Sequence, residues 1–108
     1  MITVVALLPV FVAEELDEDP ETEYILEQNF PNPFNPTTSI QYTVPREGRV
    51  RLSVYNLLGQ EVAVLFDGTQ SEGVYSVEFD KADLPSGIYF YRIHGPGFFE
   101  TKKMVIAK

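Results

Sequence analysis

From Ser39 onward, apolar side chains recur at every second position, and turn-forming residues interrupt them at short intervals. That period is the signature of β-strands, whose side chains point alternately to opposite faces of a sheet. Ile40, Tyr42 and Val44 alternate with Ser39, Gln41 and Thr43, and Val50, Leu52 and Val54 with Arg49, Arg51 and Ser53. Val62, Val64 and Phe66 continue the pattern until Asp67-Gly68 breaks it, and Tyr75, Val77 and Phe79 share one face of a strand over Val74–Asp80. Ile88–Ile93 is apolar or aromatic at almost every position, which predicts a strand covered on both faces. Phe98–Ala107 supplies the last strand. The fold-defining turns are expected at Gly48, closing Pro45-Arg46-Glu47-Gly48, at Asn56 and Gly59 in a hairpin connection, and at Gly68. Strands spaced this regularly, with no sustained helical period, point to an all-β fold, an antiparallel β-sandwich. A seventh strand comes from Tyr24–Gln28 or from the apolar N-terminus.

The charge is distributed as unevenly as the hydrophobicity is regular. The 108 residues carry 16 acids and 8 bases, a formal net charge of -8. Residues 1–45 hold Glu14, Glu15, Asp17, Glu18, Asp19, Glu21, Glu23 and Glu27 and no Lys or Arg, whereas acids and bases balance from residue 46 onward. An acidic chain without a basic cluster repels phosphate backbones, which argues against nucleic-acid binding. The absence of cysteine removes disulfides, thiolate catalysis and thiolate metal sites. The apolar run Met1–Ala13 is shorter than the ~20 residues of a membrane-spanning helix. It reads as the apolar region of a signal peptide, as a β-strand, or as the tail of an upstream domain. The first reading lacks a preceding basic residue and has Phe11 where a small residue belongs. The acidic run 14–23 lacks the glycine and terminal glutamate of a calcium loop, so it reads as a solvated linker. The domain expectation is therefore an apolar then acidic leader over 1–24 and one sandwich over 25–108.

The residues assemble no catalytic site. His94, the single histidine, lies in a Gly-Pro-Gly turn without a carboxylate beside it, and Ser86 lacks a nucleophile elbow. Pro36 disqualifies Asn35-Pro36-Thr37 as a glycosylation acceptor. The aromatics, 6 Tyr and 8 Phe, fall mostly at alternating core positions. A carbohydrate-binding sandwich would instead expose Tyr55, Tyr89 and Tyr91. No cofactor or metal is implied.

Four blocks carry a resemblance. Gln28-Asn29-Phe30-Pro31-Asn32-Pro33-Phe34-Asn35-Pro36-Thr37-Thr38-Ser39-Ile40-Gln41-Tyr42 resembles the opening of the type A sorting domain that ends proteins exported by the type IX (Por) secretion system. Val54–Val62 is similar to that family's central hairpin, Leu84–Ile93 to its proline–glycine–tyrosine motif, and Lys102–Ile106 to its basic, apolar end. The resemblance covers about residues 25–108, in the family's order. It implies an immunoglobulin-like sandwich of about seven strands and a non-enzymatic targeting module. Such a module is carried across the inner membrane with an N-terminal cargo, recognised by an outer-membrane translocon, and removed by a sortase-like peptidase, leaving the cargo at the cell surface or outside. Pro85, Gly87, Tyr89, Lys102, Lys103 and Val105 then stand as the recognition motif, and Glu14, Glu18, Asp19 and Glu21 as a cleavable linker. With residues 1–24 alone ahead of it, the module reads as a fragment, a split gene or an orphan. The stretch Val50–Ile93 also resembles the immunoglobulin-like domain of flagellar hook-assembly scaffolds.

Overall fold

A computed structural model of the chain describes residues 23–108. The signal-peptide reading of residues 1–13 and the linker residues Glu14, Glu18, Asp19 and Glu21 lie outside the described residues. Seven strands follow one another: β1 (Ile25–Leu26), β2 (Thr37–Val44), β3 (Gly48–Tyr55), β4 (Glu61–Gln70), β5 (Gly73–Asp80), β6 (Gly87–Gly95) and β7 (Phe98–Ile106). They form a three-stranded sheet in the order β1-β2-β5 and a four-stranded sheet in the order β4-β3-β6-β7, with antiparallel pairing throughout. The two sheets stack as an immunoglobulin-like sandwich, in which the fourth strand joins the sheet of β3, β6 and β7. The short seventh strand lies within Tyr24–Gln28.

The core consists of the alternating side chains. Ile40, Tyr42 and Val44 of β2, Val50, Leu52 and Val54 of β3, Tyr91 and Ile93 of β6, and Met104 and Ile106 of β7 are buried, joined by Leu26 and Phe34. Each such side chain contributes about 1.5–3 kcal/mol of apolar burial. One core hydroxyl finds its partner across the sandwich: Tyr42 donates to Gln70 Oε1 at 2.8 Å. Removal from water pushes the Tyr42 phenol above its ordinary range, and the Gln70 bond opposes that rise.

Three local expectations are corrected. β6 is covered on one face only: Tyr89, Tyr91 and Ile93 point inward, while Ile88 and Arg92 are exposed. Its outward aromatic, Phe90, gave the sequence its unbroken apolar texture. In β4, two register shifts opposite Leu52/Ser53 and Val54/Tyr55 break the alternation. Val62, Leu65 and Phe66 pack against the core, whereas Val64 is turned out to 45% exposure. An inserted residue reverses the facing of everything beyond it, so strict period-two reading fails across a bulge. Gly68 is not a turn: β4 runs through it, paired to Val50, and the Phe66 ring stands 3.4 Å from where its Cβ would be.

Glycine is required instead at the end of the sandwich where the β6–β7 turn lies. A Cβ on Gly95 would stand 2.7 Å from Cζ of Tyr24, and one on Gly48 would meet Pro96 at 3.0 Å and the Tyr24 hydroxyl at 3.7 Å. The missing methyl at Gly95 admits the Tyr24 ring, which stacks on Phe98 with centroids 5.0 Å apart. Its hydroxyl is buried and has no partner among the described residues. Two opposite outcomes are expected in urea unfolding. Gly95→Ala loses about 1–3 kcal/mol through overpacking. Tyr24→Phe keeps the ring, drops a desolvated group and gains about 1 kcal/mol.

Candidate recognition surface

The connection before β6 is built to hold one geometry. Asp80 accepts a bond from the Ala82 N–H at 2.7 Å, and the Leu84 N–H donates to the Lys81 carbonyl at 2.8 Å. The chain then turns through Pro85 to Gly87, whose φ of 145° suits only glycine. Tyr89 is buried, and its hydroxyl reaches back four residues to the Pro85 carbonyl at 2.8 Å. A tyrosine near the start of this strand bonding its own upstream backbone is the tyrosine corner of immunoglobulin-like sandwiches. Pro85, Gly87 and Tyr89 thus have a structural task that exists with or without a receptor.

The β3–β4 hairpin stands beside this corner. The Asn56 side-chain oxygen accepts from the N–H groups of Leu58 and Gln60 at 2.9 and 3.0 Å, and Gly59 turns the chain with a φ of 83°. This leaves Leu57 and Leu58 at the tip, 65% and 84% exposed. Between tip and corner runs a groove of about 310 Å³, lined by Leu57, Leu58, Val62, Leu84, Pro85 and Ile88 among others. The Val105 pairing with Ile88 brings the terminal strand to the same end. Two distant sequence blocks and part of a third therefore meet there. The apolar tip carries no alternation signal, because it belongs to a turn.

The terminal strand separates the two lysines. Lys102 shares the inward parity of Met104 and Ile106 and sits 3.4 Å from Glu100, whereas Lys103 is exposed on the outer face. A two-residue period cannot present adjacent side chains to one partner surface. The strand's edge is also partly taken. Phe34 forms a parallel bridge with Ile106: its N–H donates to Val105 O at 3.0 Å, and the Ala107 N–H donates to Phe34 O at 2.8 Å. The Val105 N–H donates to Asn32 Oδ1 at 2.9 Å, and Gln28 Nε2 donates to Lys103 O at 2.7 Å. Among the described residues, backbone groups facing away from β6 are without a partner only from Phe99 to the Lys103 N–H.

That strap is anchored by buried polar groups which no sequence period marks. Asn29 is 2% exposed, and its amide nitrogen donates to Pro31 O at 3.1 Å and Thr38 Oγ1 at 3.0 Å. Tyr91, fully buried, donates to Glu27 O at 2.6 Å and accepts from the Asn29 N–H at 2.8 Å. Desolvation pushes its phenol up to about 12.

On the outer face of the four-stranded sheet, Asp67 bridges Arg49 and Arg51 at 2.8 and 2.9 Å. Glu61 binds Arg51 through both carboxylate oxygens, and this pairing raises the guanidinium pKa above its ordinary value. Arg92 lies between the rings of Tyr55 and Phe99, 5.2 and 5.4 Å from their centroids, and donates to Thr101 Oγ1 at 3.1 Å. His94 packs edge-on against Phe99. Of the three tyrosines a sugar-binding face would expose, Tyr89 and Tyr91 belong to the core and only Tyr55 reaches this face, beside the outward Phe90 and Phe99. Among the described residues no cluster of metal-ligating side chains occurs, and no helix is long and apolar enough to cross a membrane.

Comparison with known proteins gives matches of two kinds. The family model of the secretion system C-terminal sorting domain matches residues 28–107. The fold is similar to part of dimeric latent PorU from Porphyromonas gingivalis, with a TM-score of 0.63 and 16% identity over 90% of this chain. The chain spans 10% of the PorU chain's length. Among curated proteins nothing matches.

The strap's dependence on Tyr91 is open to test. Tyr91→Phe leaves the Asn29 N–H and the Glu27 carbonyl without their partner and loses about 1–3 kcal/mol. Because the folded pKa is raised, the unfolded chain releases this proton near pH 10 while the folded chain keeps it. Stability due to this group is full below about pH 10 and falls as pH rises toward about 12. The wild type is expected to lose melting temperature over that window more steeply than Tyr91→Phe, and parallel curves would refute the assignment.

Proposed function

The chain belongs to the family of secretion-system C-terminal sorting domains, and from that premise we propose how its surface is used. A domain of this family is the C-terminal sorting signal for type IX secretion, a targeting module for export to the cell surface or the extracellular space. The passenger is joined on the N-terminal side and travels through the periplasm. An outer-membrane translocon docks on the end of the sandwich that carries Leu57, Leu58, Pro85, Ile88 and Val105, with Lys103 on the adjoining outer face. A sortase-like peptidase then cuts in the acidic linker around Glu14, Glu18, Asp19 and Glu21, within a leader of residues 1–24 ahead of a domain over 25–108.

One observation carries this reading: the exposed leucine pair beside the tyrosine corner. Exposed apolar side chains grouped around a groove are what a partner surface desolvates. Their neighbours Pro85, Gly87 and Tyr89 contribute by holding the groove's wall, and Lys102, turned inward toward Glu100, contributes little.

The test is export of a signal-peptide-bearing passenger fused ahead of the full chain, in a bacterium with type IX secretion. Replacing Leu57 and Leu58 together by serine is expected to lower export about ten-fold or more, the size of a hot-spot loss. Lys103→Glu should reduce it as well, and Lys102→Gln should leave it nearly unchanged. The urea midpoint of each variant checks that the sandwich is intact. Wild-type export by both the leucine and the Lys103 variants would refute the docking surface.

A further inference from the structure

The two outer faces of the sandwich carry opposite charge. Outward side chains of the four-stranded sheet include Arg49, Arg51, Arg92 and Lys103 against Glu61 and Asp67, four bases to two acids. The face also holds His94. Outward positions of the three-stranded sheet include Glu27, Glu78 and Asp80 and no base. Among the described residues, neither Arg92 nor Lys103 is in a salt bridge. Arg92 is nonetheless held in place by two rings and the Thr101 hydroxyl, so its guanidinium is oriented before any anion arrives.

The acidic run joins the domain through Tyr24 and β1 of the three-stranded sheet, at the end of the sandwich where this face carries Arg49 and Arg51. Glu23 precedes Tyr24, whose ring fills the space left by Gly95. Gly95 also lines a cleft of about 330 Å³ with Arg49, Arg51, Asp67 and His94. Glu14, Glu15, Asp17, Glu18, Asp19 and Glu21 precede this junction in the sequence and Glu23 adjoins it, with no Lys or Arg among residues 14–23. Extended chain covers about 3.3 Å per residue, so residues 14–22 suffice to run from the cleft along β6 as far as Arg92.

From these observations we infer that the segment 14–23 docks in cis on the outer face of the four-stranded sheet, with its carboxylates toward Arg49, Arg51, Arg92 and Lys103. Charge selects the face: the opposite one repels the segment, and this one attracts it. The attraction is between exposed groups, so it is strong in dilute salt, where charges act over about 30 Å, and weak at 1 M, where they act over about 3 Å. The inference goes beyond the secretion reading and uses only charge and the point of entry. A failure here leaves the docking of a translocon at the leucine end untouched, and the reverse is also true.

The chain has no cysteine, so Glu18→Cys gives a unique attachment point for a nitroxide in the full-length protein. At ~0.01 M salt the label is expected to reduce the Nε–Hε signals of Arg51 and Arg92 at least about two-fold, with smaller effects on the amides of Gln41 and Ser76. The reduction should vanish near 1 M salt. Arg92→Gln combined with Lys103→Gln should remove about half of it or more at an unchanged urea midpoint. Equal broadening on both faces, none at low salt, or a reduction that persists in the double variant overturns the inference. Broadening that appears only when labelled chain is mixed with isotope-labelled, nitroxide-free chain would place the contact between copies and overturn it too.

Discussion

A single buried hydroxyl holds the strands and the opening segment of this domain in one arrangement. Tyr91 stands on β6 in the core, yet its bonds go to Glu27 and Asn29, in the chain that leads from β1 toward β2. Both partners are backbone groups without a ladder strand at that point, and inside a protein an unpaired one costs about 1–3 kcal/mol. The hydroxyl satisfies both and so fixes where the opening segment leaves the three-stranded sheet. From there Pro31 and Pro33, which cannot donate to a ladder, carry the chain across to the other sheet. Phe34 completes the crossing, with its ring buried against Phe79 and its backbone bonded to the end of β7.

The crossing solves a problem that every open sandwich has. β7 is an edge strand, and an unpaired edge invites pairing with any other extended chain. Here the domain's own opening segment covers it from Lys103 O onward. The opposite edge, β4, is treated differently: two bulges twist it, and Asp67 and Glu61 tie its outward side to Arg49 and Arg51. These are separate devices for separate edges, and on β7 the bonds to the opening segment begin only at Lys103 O.

The alternation from Ile40 to Val54 and from Tyr75 to Phe79 was legible in the sequence because it is local, each residue's facing following from its neighbours two positions away, whereas in β6 the outward Phe90 hid it. Legibility stopped where facing depends on something distant. Val64 turns outward because of bulges defined against β3, and Gly68 stays in a strand because Phe66 lies over it and Val50 pairs with it. Gln28 and Asn32 bond Lys103 and Val105, more than 70 positions away, and Asn29 bonds Tyr91, 62 positions away, which no local period announces. The block containing them drew notice through its resemblance to a family opening, without any physical reason attached. The strap supplies that reason for Asn29, Asn32 and Phe34. At Pro85, Gly87 and Tyr89 the tyrosine corner does the same.

This bears on how a C-terminal signal in such a domain is to be located. Met104 and Ile106 are core residues, and Lys103, Val105 and Ala107 supply the backbone groups that hold the strap. Removing the end of the chain therefore deletes the last strand's inner face, frees Phe34 and reopens an edge, whatever a receptor reads. Loss of export on truncation is the expected result both for a signal in the last residues and for a signal elsewhere on a sandwich that no longer folds. The two are separated by exposed side chains whose removal leaves the core and the strap intact, and the structure offers few: the leucine pair at the hairpin tip, Ile88 beside it, and Lys103 on the outer face.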